Sequence, residues 1–396
     1  MLRQVEGSKA VADAVAACAP EVICAYPISP QTHIVEGLSQ LVKSGELKSC
    51  EFINVESEFA AMSVAIGSSA TGARTYTATA SQGLLYMVEA VYNASGLGLP
   101  IVMTVANRAI GGPINIWNDH SDSMSQRDCG WLQLYAENNQ EAVDLHIQAF
   151  KIAEEMSMPV MVCMDGFILT HAYEQVDIPT AEEVAGFLPP FVPRQHLDPA
   201  EPVSIGAMVG PESFMEVKYL AHQRMIDSEA VVKRVADEFE AHFGRKTGGL
   251  LRTYRAEGAE TVVLALGSII GTLKDVIDEL QLDGHSIGVL GLTSFRPFPY
   301  EALAIALKDA KRVIILEKAF STGTGGIVTL DVTRAIEGMD IQDLTLIAGL
   351  GGRPITIASL KNYLLNAMKN NVDRTTFLDL EVDTVEIEVN KERAMR

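Results

Sequence analysis

The chain has 396 residues, a formal net charge of −20 and 48% hydrophobic residues, which is room for two buried cores. The acidic balance argues against nucleic acid or an anionic membrane surface as partner, since either needs a positive footprint. No apolar run reaches the roughly 18 residues needed to span a bilayer. The stretch Met1-Leu2-Arg3-Gln4-Val5-Glu6 lacks the apolar core of a signal peptide, so the cytoplasm is expected. Cys18, Cys24, Cys50, Cys129 and Cys163 are scattered, with no Cys-x-x-Cys pair. That fits reduced thiols and argues that the chain holds no iron–sulfur cluster of its own. If electrons leave its site, another polypeptide carries them.

In chain order, residues 7–19 read as a small-residue helix and 21–27 as a short strand running into a proline-bracketed turn. Residues 32–43 form an amphipathic helix with Ile34, Leu38 and Leu41 on one face. A strand at 51–55 precedes an Ala/Ser/Gly-rich helix at 58–73. A strand at 74–79, a helix at 83–96, a strand at 99–106, a helix at 139–155 and a strand at 159–164 complete the first pattern. From 179 to about 211 prolines crowd in, among them Pro189, Pro190, Pro193, Pro199 and Pro202, with no visible period. This reads as a connector, followed by a polar helix at 214–244. A second pattern places strands at 261–267, 286–292, 312–317 and 344–348, with helices at 271–280 and 300–307 and another after Gly323-Thr324-Gly325-Gly326. The expected fold class is α/β, two doubly wound, mostly parallel-sheet domains covering 1–250 and 251–396.

Several positions could carry chemistry. Arg108 follows the strand at 99–106, at the sheet edge where ligands bind in open α/β sheets. Its planar fork can grip a carboxylate, and Gly111-Gly112 lets something bulky approach the backbone. A surface arginine in a turn explains the same residues. Glu58, in Val55-Glu56-Ser57-Glu58, sits in a first helical turn, where the dipole alone favours an acid. Tyr26-Pro27-Ile28-Ser29-Pro30 holds a hydroxyl on a stiffened loop. Thr79-Ala80-Ser81-Gln82-Gly83 is a common strand–turn–helix junction. The second-half glycine runs, Gly323 to Gly326 and Gly349 to Gly352, match neither a phosphate loop nor a dinucleotide fingerprint and read as tight turns. The eight histidines show no His-x-x-x-His or His/Cys grouping, so no protein-held transition metal is expected.

Together, residues 107–122 and the segments around Ser29 and Glu58 resemble the α subunit of the pyruvate (2-oxoacid):ferredoxin oxidoreductases, which are thiamine diphosphate enzymes. The resemblance spans essentially the whole chain. It implies a pyrimidine-type thiamine diphosphate domain, then a transketolase C-terminal-like domain. It also implies that Glu58 drives the aminopyrimidine to its imino tautomer, that Arg108 clamps the substrate carboxylate, and that Ser29, where the family usually has Thr, bonds the oxoacid. Tyr26, Pro27, Ser81 and Gln82 would then lie against the cofactor, with Gly111 and Gly112 beside the oxoacid side chain. No Gly-Asp-Gly occurs, so the diphosphate and its Mg²⁺ would fall to a β subunit. Iron–sulfur clusters would sit on γ- and δ-type subunits, with external ferredoxin or another acceptor beyond. Coenzyme A would take the acyl group. Pyruvate is the default substrate; Gly111, where the family commonly has Ser, raises a larger or aromatic oxoacid such as phenylglyoxylate. Half of a non-redox thiamine diphosphate enzyme, of transketolase or acetolactate type, is another alternative, and a non-catalytic binding protein with a vestigial site is a further one.

Overall fold

The computed structural model describes residues 2–395. Its first eight strands are β1 (Leu2–Glu6), β2 (Val22–Ala25), β3 (Glu51–Asn54), β4 (Thr75–Thr79), β5 (Ile101–Asn107), β6 (Leu132–Tyr135), β7 (Val160–Asp165) and β8 (Tyr173–Asp177). The remaining strands are β9 (Leu251–Tyr254), β10 (Thr261–Ala265), β11 (Ile287–Leu292), β12 (Ser294–Arg296), β13 (Arg312–Glu317), β14 (Gln342–Ile347) and β15 (Thr375–Phe377).

Among the described residues, one sheet has the order β12-β6-β7-β5-β4-β2-β3 and another β15-β14-β13-β10-β11-β9, while β1 and β8 pair as an antiparallel ribbon. Both large sheets are parallel except for one edge strand each: β12 runs antiparallel to β6, and β9 antiparallel to β11. The α/β class follows from sequence. Every residue of β5 is buried, as a central parallel strand covered on both faces requires.

Three apolar clusters hold the layers together. One face of the first sheet packs under the helices Gly7–Ala17, Asn139–Met156 and Phe214–Phe243 through Val11, Leu145, Phe150 and Phe239. The opposite face shares its core with the second sheet. Met62, Leu84, Tyr135 and Met161 lie in the same cluster as Val262, Leu290, Phe295 and Val313. A third cluster, with Leu273, Ile314 and Leu364, covers the far face of the second sheet.

Several elements depart from expectation. The helix expected at 83–96 is two helices, Ser81–Tyr86 and Val88–Leu97, meeting at the buried Met87. The proline-rich connector contains a helix, Ala181–Phe187, started by a Thr180–Glu183 capping box. Ser294–Arg296, between the strand expected at 286–292 and the helix expected at 300–307, crosses over as the edge strand of the first sheet, with Ser294 opposite Leu134. It is short, and Pro297 ends its ladder, so no alternation betrays it.

Candidate active site

The carboxyl ends of β2, β4 and β5 and the turn after β3 converge on one edge of the first sheet. Glu58 opens the helix Glu58–Ala70, which is capped by Ser57, whose Oγ accepts from the Ala60 N–H at 3.2 Å. Its side chain is 8% exposed, and no donor among the described residues bonds its carboxylate. Gly83 packs directly against it. A Cβ there would lie 2.8 Å from Glu58 Cγ and 2.6 Å from Thr79 Oγ1, itself buried without a partner. An acid without a partner among the described residues and an orphaned hydroxyl thus lie side by side against a glycine that has no room for a Cβ.

The loop after β2 is held from below by Gln31, whose Nε2 donates to the carbonyls of Ala78 at 2.6 Å and Tyr26 at 3.4 Å. Tyr26, Pro27 and Ser29 stay exposed. It is the Ser29 carbonyl that meets Arg108, accepting from Nη1 at 2.9 Å. Arg108 Nε donates to the Asn115 carbonyl at 3.2 Å, and Nη2 finds no partner among the described residues. Two neutral carbonyls orient the guanidinium without neutralising it, so the free edge of the fork keeps its charge for an anion. Burial lowers its pKa from the ordinary value, and Asp122 opposes that.

Ser81 adopts φ +49°, and its Oγ donates to the Ala109 carbonyl at 2.5 Å and lies in hydrogen-bond reach of the Gln82 carboxamide. The Gln82 carboxamide occupies the space beside Gly111, where a Cβ would collide with Nε2. The room that Gly111 was expected to open is filled by this side chain. Gly112, at φ +108°, is exposed with no neighbour near its Cβ position.

Two buried acids support these residues from behind. Asp122 ties β4 to β5: it is fully buried and accepts from Ser81 N (2.9 Å), Arg108 N (2.9 Å), Asn107 Nδ2 (2.8 Å) and Ser123 N (2.8 Å). Burial raises its pKa to about 6, with those donors opposing. Asp165, at the end of β7, meets Lys318 Nζ at 2.9 Å, His120 Nε2 at 2.6 Å and Ser268 N at 3.1 Å. Burial would raise its pKa, but Lys318 and then His120 outweigh this and hold it well below the usual carboxylate range.

The loop after Arg108 also leans on the second sheet. Asn115 Nδ2 donates to the Gly351 carbonyl at 3.0 Å, and Gly351 N–H donates to Asp119 Oδ2 at 3.0 Å. The glycine run read as a tight turn is therefore also a clasp. At φ +58° and +82°, Gly351 and Gly352 have no room for a Cβ against Asn115 and Trp117.

Comparison with known proteins identifies the family. Residues 13–237 match the family model described as pyruvate flavodoxin/ferredoxin oxidoreductase, thiamine diphosphate-binding, and residues 259–360 match pyruvate:ferredoxin oxidoreductase core domain II. The chain is 49% identical to pyruvate synthase subunit PorA of Methanosarcina barkeri, over 92% of each chain. It is 39% identical to ketoisovalerate oxidoreductase subunit VorA of Pyrococcus horikoshii, over 96% of each. In fold it resembles the 2-oxoglutarate:ferredoxin oxidoreductase from Magnetococcus marinus, with TM-score 0.69 and 19% identity. That match covers 92% of this chain and 65% of the other. No helix is long and apolar enough to cross a membrane. The chain belongs to the pyruvate (2-oxoacid):ferredoxin oxidoreductase family, as the subunit bearing its thiamine diphosphate-binding domain and core domain II.

Proposed function

We propose that this chain is the α subunit of a pyruvate oxidoreductase and supplies the half-site that holds and activates the aminopyrimidine of thiamine diphosphate. The observation that carries the reading is Glu58: a buried carboxylate at a helix N-terminus, without a partner among the described residues, packed against Gly83, where a Cβ would collide with it. The orphaned Thr79 hydroxyl, on the other side of Gly83, suits a hydrogen-bonding heterocycle. When bound, thiamine diphosphate supplies a nucleophilic carbon that adds to a 2-oxoacid carbonyl and accepts the electron pair released with CO₂. Glu58 would hold the pyrimidine ring of the bound cofactor and supply the proton that its imino form needs. Arg108 binds the substrate carboxylate through the free edge of its fork and fixes its orientation. Ser29 offers its hydroxyl to the oxoacid from the exposed loop, beside Tyr26 and Pro27. Ser81 and Gln82 shape the floor, and Gly111 and Gly112 pass beside the substrate.

The same reading assigns the diphosphate and Mg²⁺ to a β subunit, because the chain has no Gly-Asp-Gly. Electrons pass to iron–sulfur clusters on γ- and δ-type subunits, since the five cysteines here are separate buried thiols. Ferredoxin or another acceptor takes them onward, and coenzyme A leaves with the acyl group. The complex works in the cytoplasm. Its two units in this chain are residues 1–250 and 251–396, in keeping with a second sheet that begins at Leu251. Pyruvate is favoured over a larger oxoacid because Gln82 fills the room beside Gly111. The test is the assembled complex with Glu58→Gln. It should assemble normally yet lose pyruvate-dependent viologen reduction, and retention of the rate would overturn the assignment.

A further inference from the structure

Away from the sheet edge just described, three side chains distant in sequence converge at the surface. Glu6 ends β1, His33 lies in the first turn of the helix Thr32–Ser44, and His171 follows β7. One potential ligand atom from each lies within 4.8 Å of the other two. Among the described residues, this is the grouping of His, Cys, Asp or Glu side chains with metal-holding geometry.

The details make the cluster more than a chance meeting. Glu6 is the N-cap residue of the helix Gly7–Ala17, yet its carboxylate makes no cap bond. It turns instead to His33, with Oε1 2.7 Å from Nδ1. The two imidazoles face each other with ring centroids 4.7 Å apart and planes 35° apart. His171 is held from behind: its Nδ1 is 2.7 Å from the hydroxyl of Thr170, a fully buried residue that also accepts the Phe167 N–H at 2.8 Å. Phe167 packs on the ring at a centroid distance of 4.9 Å. With Nδ1 engaged, Nε2 is the ring nitrogen left to ligate. A hydrogen-bonded, pre-oriented histidine is how proteins prepare a metal ligand.

We propose that Glu6, His33 and His171 form a binding site for a borderline-soft divalent ion of the Zn²⁺, Co²⁺ and Ni²⁺ class. Two imidazoles and one carboxylate match the donor preference of these ions and not that of Mg²⁺ or Ca²⁺, which take oxygen. Binding displaces the proton shared by Glu6 and His33, and a coordination position stays open to water. The ion would pin the ribbon of β1 and β8 to the residues immediately after Pro30, and so stiffen the loop whose Ser29 carbonyl orients Arg108.

The full-length chain, stripped with a chelator, is titrated with Co²⁺ and followed by visible absorption. Uptake stoichiometric with the chain, displaced by Zn²⁺ but not by excess Mg²⁺, is expected. His33→Gln and His171→Ala should each weaken binding by at least about tenfold with an unchanged circular dichroism spectrum, and Thr170→Val by about tenfold through lost orientation of His171. The proposal is overturned if wild type takes up no Co²⁺, if both histidine variants bind as wild type does, or if Mg²⁺ displaces the ion equally well.

Discussion

Two buried aspartates at the same edge of the first sheet are stabilised in opposite ways. Asp122, beside β5, is surrounded by neutral N–H groups. Asp165, at the end of β7, is met by Lys318 and His120. Neutral dipoles orient a carboxylate without offsetting the full cost of burying its charge, and a cation does offset it. Burial therefore raises the Asp122 pKa to about 6, whereas Asp165 stays ionised. The difference separates two tasks. Asp122 fixes the backbone that bears Ser81 and Arg108. Asp165 locks one sheet to the other, because Lys318 and Ser268 come from the second half of the chain. Glu58 is the third case, a buried acid without a partner among the described residues.

The harshest way to break this comparison is Lys318→Met. Removing one partner of a buried pair should cost about 3–5 kcal/mol of stability, read from the denaturant midpoint. An unchanged midpoint would mean that apolar packing alone joins the sheets. Glu58→Gln should do the reverse. Turnover falls by more than about tenfold, beyond 1.4 kcal/mol in the barrier, while stability moves by no more than about 0.5 kcal/mol. Arg108→Lys should raise KM and lower kcat, for a loss of about 1.5–3 kcal/mol in kcat/KM. Equal kinetics for the two versions would remove the clamp from the scheme.

The Asp122 contrast has a pH signature. A folded-state pKa of about 6 against an ordinary 3.8 means that the folded chain takes up a proton while the unfolded chain does not. This contribution is fully present below the unfolded value and is lost as pH rises through about 6. Asp165 works with the opposite sign: its contribution is present above the usual aspartate range and fades as acid reaches its depressed value. A carboxylic acid band titrating near pH 6 in infrared difference spectra, absent in Asp122→Asn, would identify the first group. No such band would refute the assignment. The mildest change is Gly111→Ser, which meets only the flexible tip of Gln82 and should cost no more than about 1 kcal/mol. The ratio of kcat/KM for pyruvate and phenylglyoxylate should hardly move. Gln82→Ala should shift it toward the larger substrate if Gln82 sets the room.

What could be read in the sequence was local. The run Leu99 to Ala106 reads as a buried strand because unbroken apolar residues bounded by turns suit a strand covered on both faces, and Arg108 follows at its edge for the same reason. The Ala- and Ser-rich pattern after Glu58 marks a helix that others can approach closely. Contacts between distant segments left no such trace. Lys318 lies 153 residues from Asp165, and no spacing rule links a lysine after one strand to an aspartate ending another. Glu6, His33 and His171 belong to three elements, so a search for His-x-x-x-His passes over them. The helix Ala181–Phe187 did carry a signal, the Thr180-x-x-Glu183 capping box, which the prolines downstream obscured.

The clasp between Asp119 and Gly351 spans 232 residues of chain. A ribosome adding roughly 5–20 residues per second exposes the Arg108 loop roughly 10–50 s before its brace emerges. During that interval the first sheet can form, but the loop beside Arg108 has nothing to lean on. A nascent chain thus acquires its anion-binding arginine early and its finished loop late. Anything that seizes the open loop before Gly351 arrives competes with the molecule's own carboxyl-terminal half.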